Sequence, residues 1–411
     1  MAELAIDFGT SNSAAGIPTD SGPRLIELEP GRQTLPTALF FDFEDRTASY
    51  GTDAERALFD GAWGRYMRAL KSLLGTQLIR ESGNFLGKRM RYLDIVAAFL
   101  REVKIRAEAQ TGLQFDRALS GRPVRFHHDA GRDAQAAEDL RQAYDLAGFS
   151  QVRFMNEPEA AARASLSSLP PGATGLVVDI GGGTSDFTVF RAGPSGDIDI
   201  LRSTGLRLGG TDFDRMISIH HIMPLAGRGS LIRHAFGSGT HTAPNAIFND
   251  LATWQKIPFL YTPDTRRTAK DLLSYAQEPD KIGRLLRVLT DERGHDLAFA
   301  VEAAKIALNT DAAQAQVDLS ALEARYTHPL GHDDLKASLT EPGQDIARAA
   351  LGCVSEAGLD IDQIGDVICV GGSSLMQVVR AALTEAFPAA KLREGAALTG
   401  IIEGLAMAAA R

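Results

Sequence analysis

The order of apolar and polar positions along the chain predicts strands at its start and a mixture of strands and helices after that. AIDFGTSNS, residues 5 to 13, reads as a buried strand broken by a turn, with a second strand entering SAAGI. LVVDIGGGTSDFTVF, residues 176 to 190, repeats the design. An apolar run stops at three glycines, and the residues after them alternate polar and apolar with the period of a strand. A dinucleotide fingerprint would place a helix after its glycines, so this stretch is a strand–turn–strand hairpin instead. Between the two hairpins the pattern predicts short strands at RLIEL and TALFFDF, with Pro36 at the latter's first positions. It then predicts a helix over DIVAAFLREVKIRAEAQ, a strand near RALSGRPVRF and a helix over AAEDLRQAYDLAG that Gly148 closes. QVRFM is a strand, and a helix begins in NEPEAAARA. After the second hairpin come IDILRSTG, a helix opening in LGGTDFDRMISI, and later DIARAALGCVSEAG, DVICV and LMQVVRAALTEAF. Strands alternating with helices after an initial meander predict an α/β class with mixed sheets covered by helices.

The recurrence of one turn design near the middle of the chain suggests two lobes, each presenting a hairpin to a shared cleft. Coincidence is the alternative, since D-x-G-T is short. The expected division is lobe I over 1–172, lobe II over 173–400 and a C-terminal helix over 401–411. Residues 223–295 break the regularity with Gly, Ser and Pro, two histidine-bearing loops and the helical patterns KDLLSYAQ and KIGRLLRVL. They read as a subdomain inserted into lobe II, of the kind that acts as a lid. The histidines do not fall at zinc spacing and are expected to be loop or core residues.

Composition narrows the classes. The 411 residues are 44% hydrophobic and 23% charged, ordinary for a globular chain large enough for two cores. A formal charge of −9 with scattered arginines argues against nucleic acid. Arg266 and Arg267, the nearest approach to a basic cluster, sit beside Lys270 and Asp271 and read as a solvated face. Cys353 and Cys369 fall in apolar patterns and are expected to be reduced core thiols. The first strand begins too close to Met1 for a signal peptide, and apolar runs stop short of a membrane span, with Glu403 dividing GIIEGLAMAAA. The expectation is a soluble, cytoplasmic protein that binds neither membrane nor nucleic acid.

The chemistry gathers at the glycines. Asp7 and Asp179 each stand one residue from the end of a buried strand. Gly9, Thr10, Ser11 and Asn12 follow the first, and Gly181, Gly182, Gly183 and Thr184 the second. Bare turns let backbone N–H groups converge on phosphate oxygens, hydroxyls add donors, and two carboxylates suit Mg²⁺ held through its waters. Either hairpin alone is equally well a structural turn; the pair favours a triphosphate site. Gly209 and Gly210 precede a helix whose first turn carries Asp212 and Asp214, a start suited to capping or to phosphate. CVGGSSLM places Gly371, Gly372, Ser373 and Ser374 between a buried strand and a helix. In EAAKIALN, Glu302 and Lys305 share a helix face, suited to a polar ligand edge or an intrahelical ion pair.

The ordered set AIDFGTSNS, LKSLLG, RFMNEPEAAA, VVDIGGGTSDF, LGGTDFDR, EAAKIALN and CVGGSSLM resembles the nucleotide-binding domain of the heat shock protein 70 (DnaK-type) family, over essentially the whole chain. The resemblance implies the actin-like ATPase fold, ATP or ADP with Mg²⁺, and a chaperone role. Because the chain stops where such a domain stops, and because of KSLLG, GRPVRF and LNTDA, it looks like the short YegD-like members that consist of this domain alone. The resemblance places Lys71 at the catalytic lysine and Glu157 at the acid that orients water or Mg²⁺. Pro123 and Pro158 fall at the interlobe relay, and Thr184 and Asp186 after the second phosphate loop. It also places Glu302, Lys305 and Asn309 on the adenosine-facing helix, and Gly371, Gly372 and Ser373 in the adenosine loop. One feature departs: Ile306 and Leu375 stand where the family has adenine-stacking arginines, which removes a cation–π contribution of about 1 kcal/mol.

The expected function is Mg²⁺-dependent ATP binding and hydrolysis coupled to lobe closure, with an unfolded-protein client or partner protein on an unidentified surface. The alternatives are a nucleotide-gated interaction module with little hydrolysis, an actin-like filament protein, and a small-molecule kinase of the same fold.

Overall fold

The computed structural model describes residues 3–127, 129–165, 169–193, 198–235, 237–309, 312–394 and 399–409. The chain forms two compact units, one of Met1–Gly210 with Gly343–Arg411 and the other of Thr211–Pro342.

The first unit opens with the antiparallel strands β1 (Glu3–Phe8), β2 (Asn12–Thr19) and β3 (Gly22–Ile26), with β4 (Thr34–Pro36) pairing to the start of β2. Pro36 therefore ends a three-residue strand opposite Asn12 rather than opening the next one, and the strand expected over TALFFDF is β5, from Ala38. The proline has no N–H to give a second neighbour, so the pairing stops at it. A small sheet follows, β5 (Ala38–Asp42) between β6 (Ala48–Tyr50) and β7 (Gly64–Arg68), with α1 (Thr52–Phe59) inserted before the last strand. Next come the hairpin of β8 (Ser82–Phe85) and β9 (Lys88–Arg91), then α2 (Tyr92–Thr111), β10 (Arg117–Arg122), α3 (Ala130–Leu146), β11 (Gln151–Asn156) and α4 (Glu157–Ser165). β10 joins β1 in parallel and β11 joins β10 in parallel, giving the order β11-β10-β1-β2-β3.

Local signals explain the helices that cover this sheet. Along α2 the buried residues Leu93, Val96, Ala97, Leu100, Val103 and Ala107 recur at three- and four-residue steps, and Gly112 ends the helix with φ 70°. In α3, Asp129 caps the start by accepting from the Arg132 N–H, and Gly148 takes φ 94° just past the end.

The second hairpin, β12 (Thr174–Ile180) and β13 (Ser185–Ala192), continues antiparallel into β14 (Ile198–Leu206). Through α5 (Gly210–Ile217) the chain passes to the second unit. That unit holds the hairpin of β15 (Leu231–Arg233) and β16 (Thr240–Thr242), then α6 (Asn245–Leu251), α7 (Pro263–Tyr275), α8 (Pro279–Thr290) and α9 (Gly294–Asn309). A second hairpin, β17 (Gln314–Asp318) and β18 (Thr327–Gly331), precedes α10 (His332–Glu356), which carries the chain back. The irregular residues 223–295 lie inside this unit. His234 and His241 are exposed at its first hairpin, their rings 5.2 Å apart, and His295 is buried against Trp254.

Back in the first unit, β19 (Asp366–Val370), α11 (Gln377–Ala386) and β20 (Lys391–Glu394) complete a second sheet of order β14-β13-β12-β19-β20. Starting from β3 in one sheet and β14 in the other, the two share one sequence of pairings: antiparallel, antiparallel, parallel, parallel. The last helix, α12 (Gly400–Ala408), returns to the first sheet, where Ile402, Leu405 and Ala406 pack with Ala5, Ala14, Leu119 and Ala160. Cys353 and Cys369 are buried thiols. Among the described residues no helix is long and apolar enough to cross a membrane.

Candidate functional site

Asp7 and Asp179 occupy equivalent places. Each is the penultimate residue of a central strand, β1 or β12, just before the turn of an antiparallel hairpin. The turns come together: a Cβ built on Gly182 would lie 2.6 Å from Ser11 Oγ and 3.1 Å from Thr10 Cβ. A side chain there would force Ser11 and Thr10 to shift, so glycine lets the two loops approach this closely. Gly9 is more tightly constrained, since a Cβ on it would stand 2.1 Å from a backbone atom, the Asn12 carbonyl oxygen. Within the second loop the Gly181 N–H donates to the Thr184 carbonyl at 2.9 Å, closing the turn over Gly182 and Gly183. Asn12 is exposed, while Thr10, Ser11 and Thr184 are half-buried.

Two further glycine segments pack onto this loop. Gly210 N–H donates to the Gly181 carbonyl, and a Cβ on Gly209 would lie 2.7 Å from the Gly182–Gly183 peptide. At the end of β19, Gly371 takes φ 81° with its Cα facing the Ile180 carbonyl and Asp179 Oδ1. A Cβ there would lie 2.3 Å from that carbonyl. Gly372 is exposed, Ser373 half-buried, and Ser374 buried with its hydroxyl donating to the Gly371 carbonyl.

Lys71 is the main departure from a plain reading of its segment. LKSLLG has the look of a surface helix, but the structure makes it a tight 3-10 turn (Leu70–Leu73) entered through Ala69 at φ 57°. The turn buries Lys71 and sets its Nζ 2.5 Å from Oε1 of Glu157, the first residue of α4. Other residues hold this turn that the sequence did not single out. Asp139 of α3 accepts from the Gly75 N–H and from Arg80 and Gln135. His127 lies between the turn and the end of β14, with Nε2 2.7 Å from the Leu74 carbonyl and Nδ1 3.0 Å from the Arg207 guanidinium. A neutral ring protonated on Nε2 serves both, donating to one and accepting from the other. Burial pushes its pKa down, and Arg207 works in the same direction. For Asp139 a signal existed, an acid on the apolar stripe of AAEDLRQAYDLAG between Ala136 and Ala143. For His127 there was none.

Carboxylates crowd around the one amine. Asp186, paired with Asp179 across β12 and β13, is buried and accepts from the Val124 N–H. Desolvation and then the Glu157 charge push Asp186 up to about 8, against the pull of Lys71. The same causes push Asp7 up to about 7. Asp179 is raised well above the carboxylate range by burial, then by Glu157, Asp186 and Asp7. Burial lowers the Lys71 pKa, but Glu157, Asp7 and Asp186 together raise it above that of an ordinary lysine, so it stays charged. One ammonium facing four acids leaves a buried site short of positive charge. Asp179 Oδ1 is moreover a buried oxygen with no hydrogen-bond partner among the described residues. Both observations fit a divalent cation beside Asp7 and Asp179. Among the described residues no three acidic, histidine or cysteine side chains gather to cage a metal outright. Mg²⁺ keeps most of its waters and takes phosphate oxygens, so two carboxylates suffice to hold it.

The remaining expected residues belong to the second unit. Glu302, Lys305 and Asn309 lie on α9; Lys305 is buried with its Nζ 2.7 Å from Asp214 Oδ1 of α5, and Ile306 is exposed. Asp214 is thus drawn into a buried ion pair.

The Hsp70 protein family profile matches residues 3–228, more than half of the chain. Curated relatives include the chaperone protein DnaK of Ureaplasma urealyticum, 31% identical, and that of Ureaplasma parvum, 32% identical, each over 216 residues. The alignments cover 52% of this chain and 34% of each relative, so the chain matches about a third of the length of those proteins. The paired hairpins, the repeated sheet and the match over both together lead to one conclusion: the chain belongs to the Hsp70 family and carries its nucleotide-binding domain, with the actin-like ATPase fold.

Proposed function

We propose that this protein binds ATP and ADP with Mg²⁺ and hydrolyses ATP, closure of the two hairpins on the nucleotide being its output. The observation that supports this most is the single cluster that holds the two facing glycine loops, the buried Asp179 oxygen with no partner among the described residues, and the buried Lys71–Glu157 pair. The N–H groups of both loops cradle the phosphates, and Thr10, Ser11 and Thr184 add hydroxyl donors. Asp7 and Asp179 hold the hydrated cation. When bound, Mg²⁺ supplies positive charge to the phosphate oxygens. Lys71 leaves Glu157 for the transferring phosphoryl group, and the freed Glu157, or Asp179, accepts a hydrogen bond from the attacking water and orients it. This is alignment and electrostatic stabilisation, which is most of what phosphoryl transfer requires.

The chaperone role is part of the proposal, as is a client or partner protein held at a surface outside this site. Equilibrium binding of a fluorescent ATP analogue tests the site. Wild type should bind more tightly with Mg²⁺ than with chelator, and Asp179→Asn should lose most of that difference, about tenfold or more. Equal binding with and without Mg²⁺ in the wild type would refute the metal assignment.

A further inference from the structure

We propose that the tip of the small β6-β5-β7 sheet docks an apolar polypeptide segment that carries arginine or lysine. This rests on no part of the nucleotide reading. Two turns form the tip, residues 43–47 after β5 and 60–63 between α1 and β7, entered from Asp42 and Phe59 at the ends of those elements. Trp63 is 69% exposed and Phe59 58%, whereas the other tryptophan, Trp254, is 4% exposed. The Trp63 ring stands edge-on to Phe43 at 5.7 Å, and the Phe43 N–H donates to the Trp63 carbonyl. Phe43 packs against the main core of the first unit, so the platform is rooted. The facing turn is set by Asp42, which accepts from the Glu44 and Asp45 N–H groups.

Charge selects the occupant. Glu44, Asp45 and Asp60 stand on the two turns, with Asp42 at the end of β5, against Arg46 alone. The flanking basic residues are directed elsewhere: Arg56 pairs with Asp53, while Arg65 lies over the Phe85 and Tyr92 rings and donates to the Tyr92 hydroxyl. An aromatic platform with an acidic rim attracts a cation carried on an apolar stem, both by cation–π contact and by charge. It repels phosphate backbones and anionic lipid. A two-fold contact with a second copy would set acids against acids.

The test uses wild-type protein and acrylamide quenching, which reads Trp63 because Trp254 is buried. The probes are short synthetic peptides alternating leucine with arginine, leucine with glutamate, and serine with arginine. The leucine–arginine peptide should protect Trp63 saturably, and the other two should bind about tenfold more weakly or worse. Phe59→Ser, and separately Asp45→Lys with Asp60→Lys, should weaken it to a similar degree while circular dichroism and nucleotide binding stay unchanged. Three results would overturn the proposal: no saturable protection, equal protection by the leucine–glutamate peptide, or unaltered affinity in both variants. Protection that rises with protein concentration alone would mean self-association and would overturn it too.

Discussion

Asp7, Glu157, Asp179 and Asp186 act on one another and on Lys71 in a single cluster, buried except for the half-buried Asp7. The consequence for stability has a definite sign. Asp186 is pushed up to about 8 and Asp7 to about 7. An unfolded chain releases those protons near pH 4. Between those limits the folded state holds more protons, so its stability falls as pH rises. The stabilisation is complete below about pH 4 and gone above about pH 8. Urea midpoints of nucleotide-free protein from pH 5 to 8.5 should therefore decline, and Asp186→Asn should flatten the decline by on the order of 2 kcal/mol. A variant that keeps the full wild-type slope would assign the protons elsewhere. The two aspartates stood out in the sequence because one turn design occurs twice, a carboxylate just inside an apolar strand and before glycine, although either turn alone is equally well structural. The burial of Lys71 was not. Its partner Glu157 is 86 positions away, and the 3-10 turn that brings them together depends on a left-handed Ala69 that no local pattern announces.

Among the elements, the two hairpins followed from periodicity alone, since a run of alternation after glycines excludes a helix. The packing of α12 did not, because nothing in GIIEGLAMAAA says which sheet it covers. Gly404 decides how near it comes: a Cβ there would lie 1.8 Å from the Ala160 carbonyl oxygen of α4. That atom is backbone, so the helices would have to separate. Gly404→Ala should destabilise the protein by about 1–3 kcal/mol or more. Gly352→Ala, in α10 with open space around it, should be neutral or stabilising by about 0.5–1 kcal/mol. Denaturant titration of the pair measures the difference. Equal midpoints would mean that the α4–α12 approach is looser than described. The turn carrying Lys71 has a comparable dependence on distant residues, Asp139 and His127, which tie it to α3 and to the end of β14.

At the scale of the molecule, two sheets with one pairing sequence present equivalent strand ends, and Asp7 and Asp179 stand at those ends. That duplication was visible in the sequence as a repeated aspartate–glycine–threonine turn, although only the strand registers make it a repeated fold. Residues 211–342 were harder to read. Their irregular stretch was evident, but α9 and the β17–β18 hairpin, regular in pattern, belong to the same unit by packing that sequence does not record. The central claim is that the first unit's buried cluster performs phosphoryl transfer, with Lys71 supplying the charge. Single-turnover ATP hydrolysis by Lys71→Ala tests it most directly. Nucleotide affinity should hold while the hydrolysis rate falls about a hundredfold or more. A rate equal to that of the wild type, at full nucleotide occupancy, would contradict it.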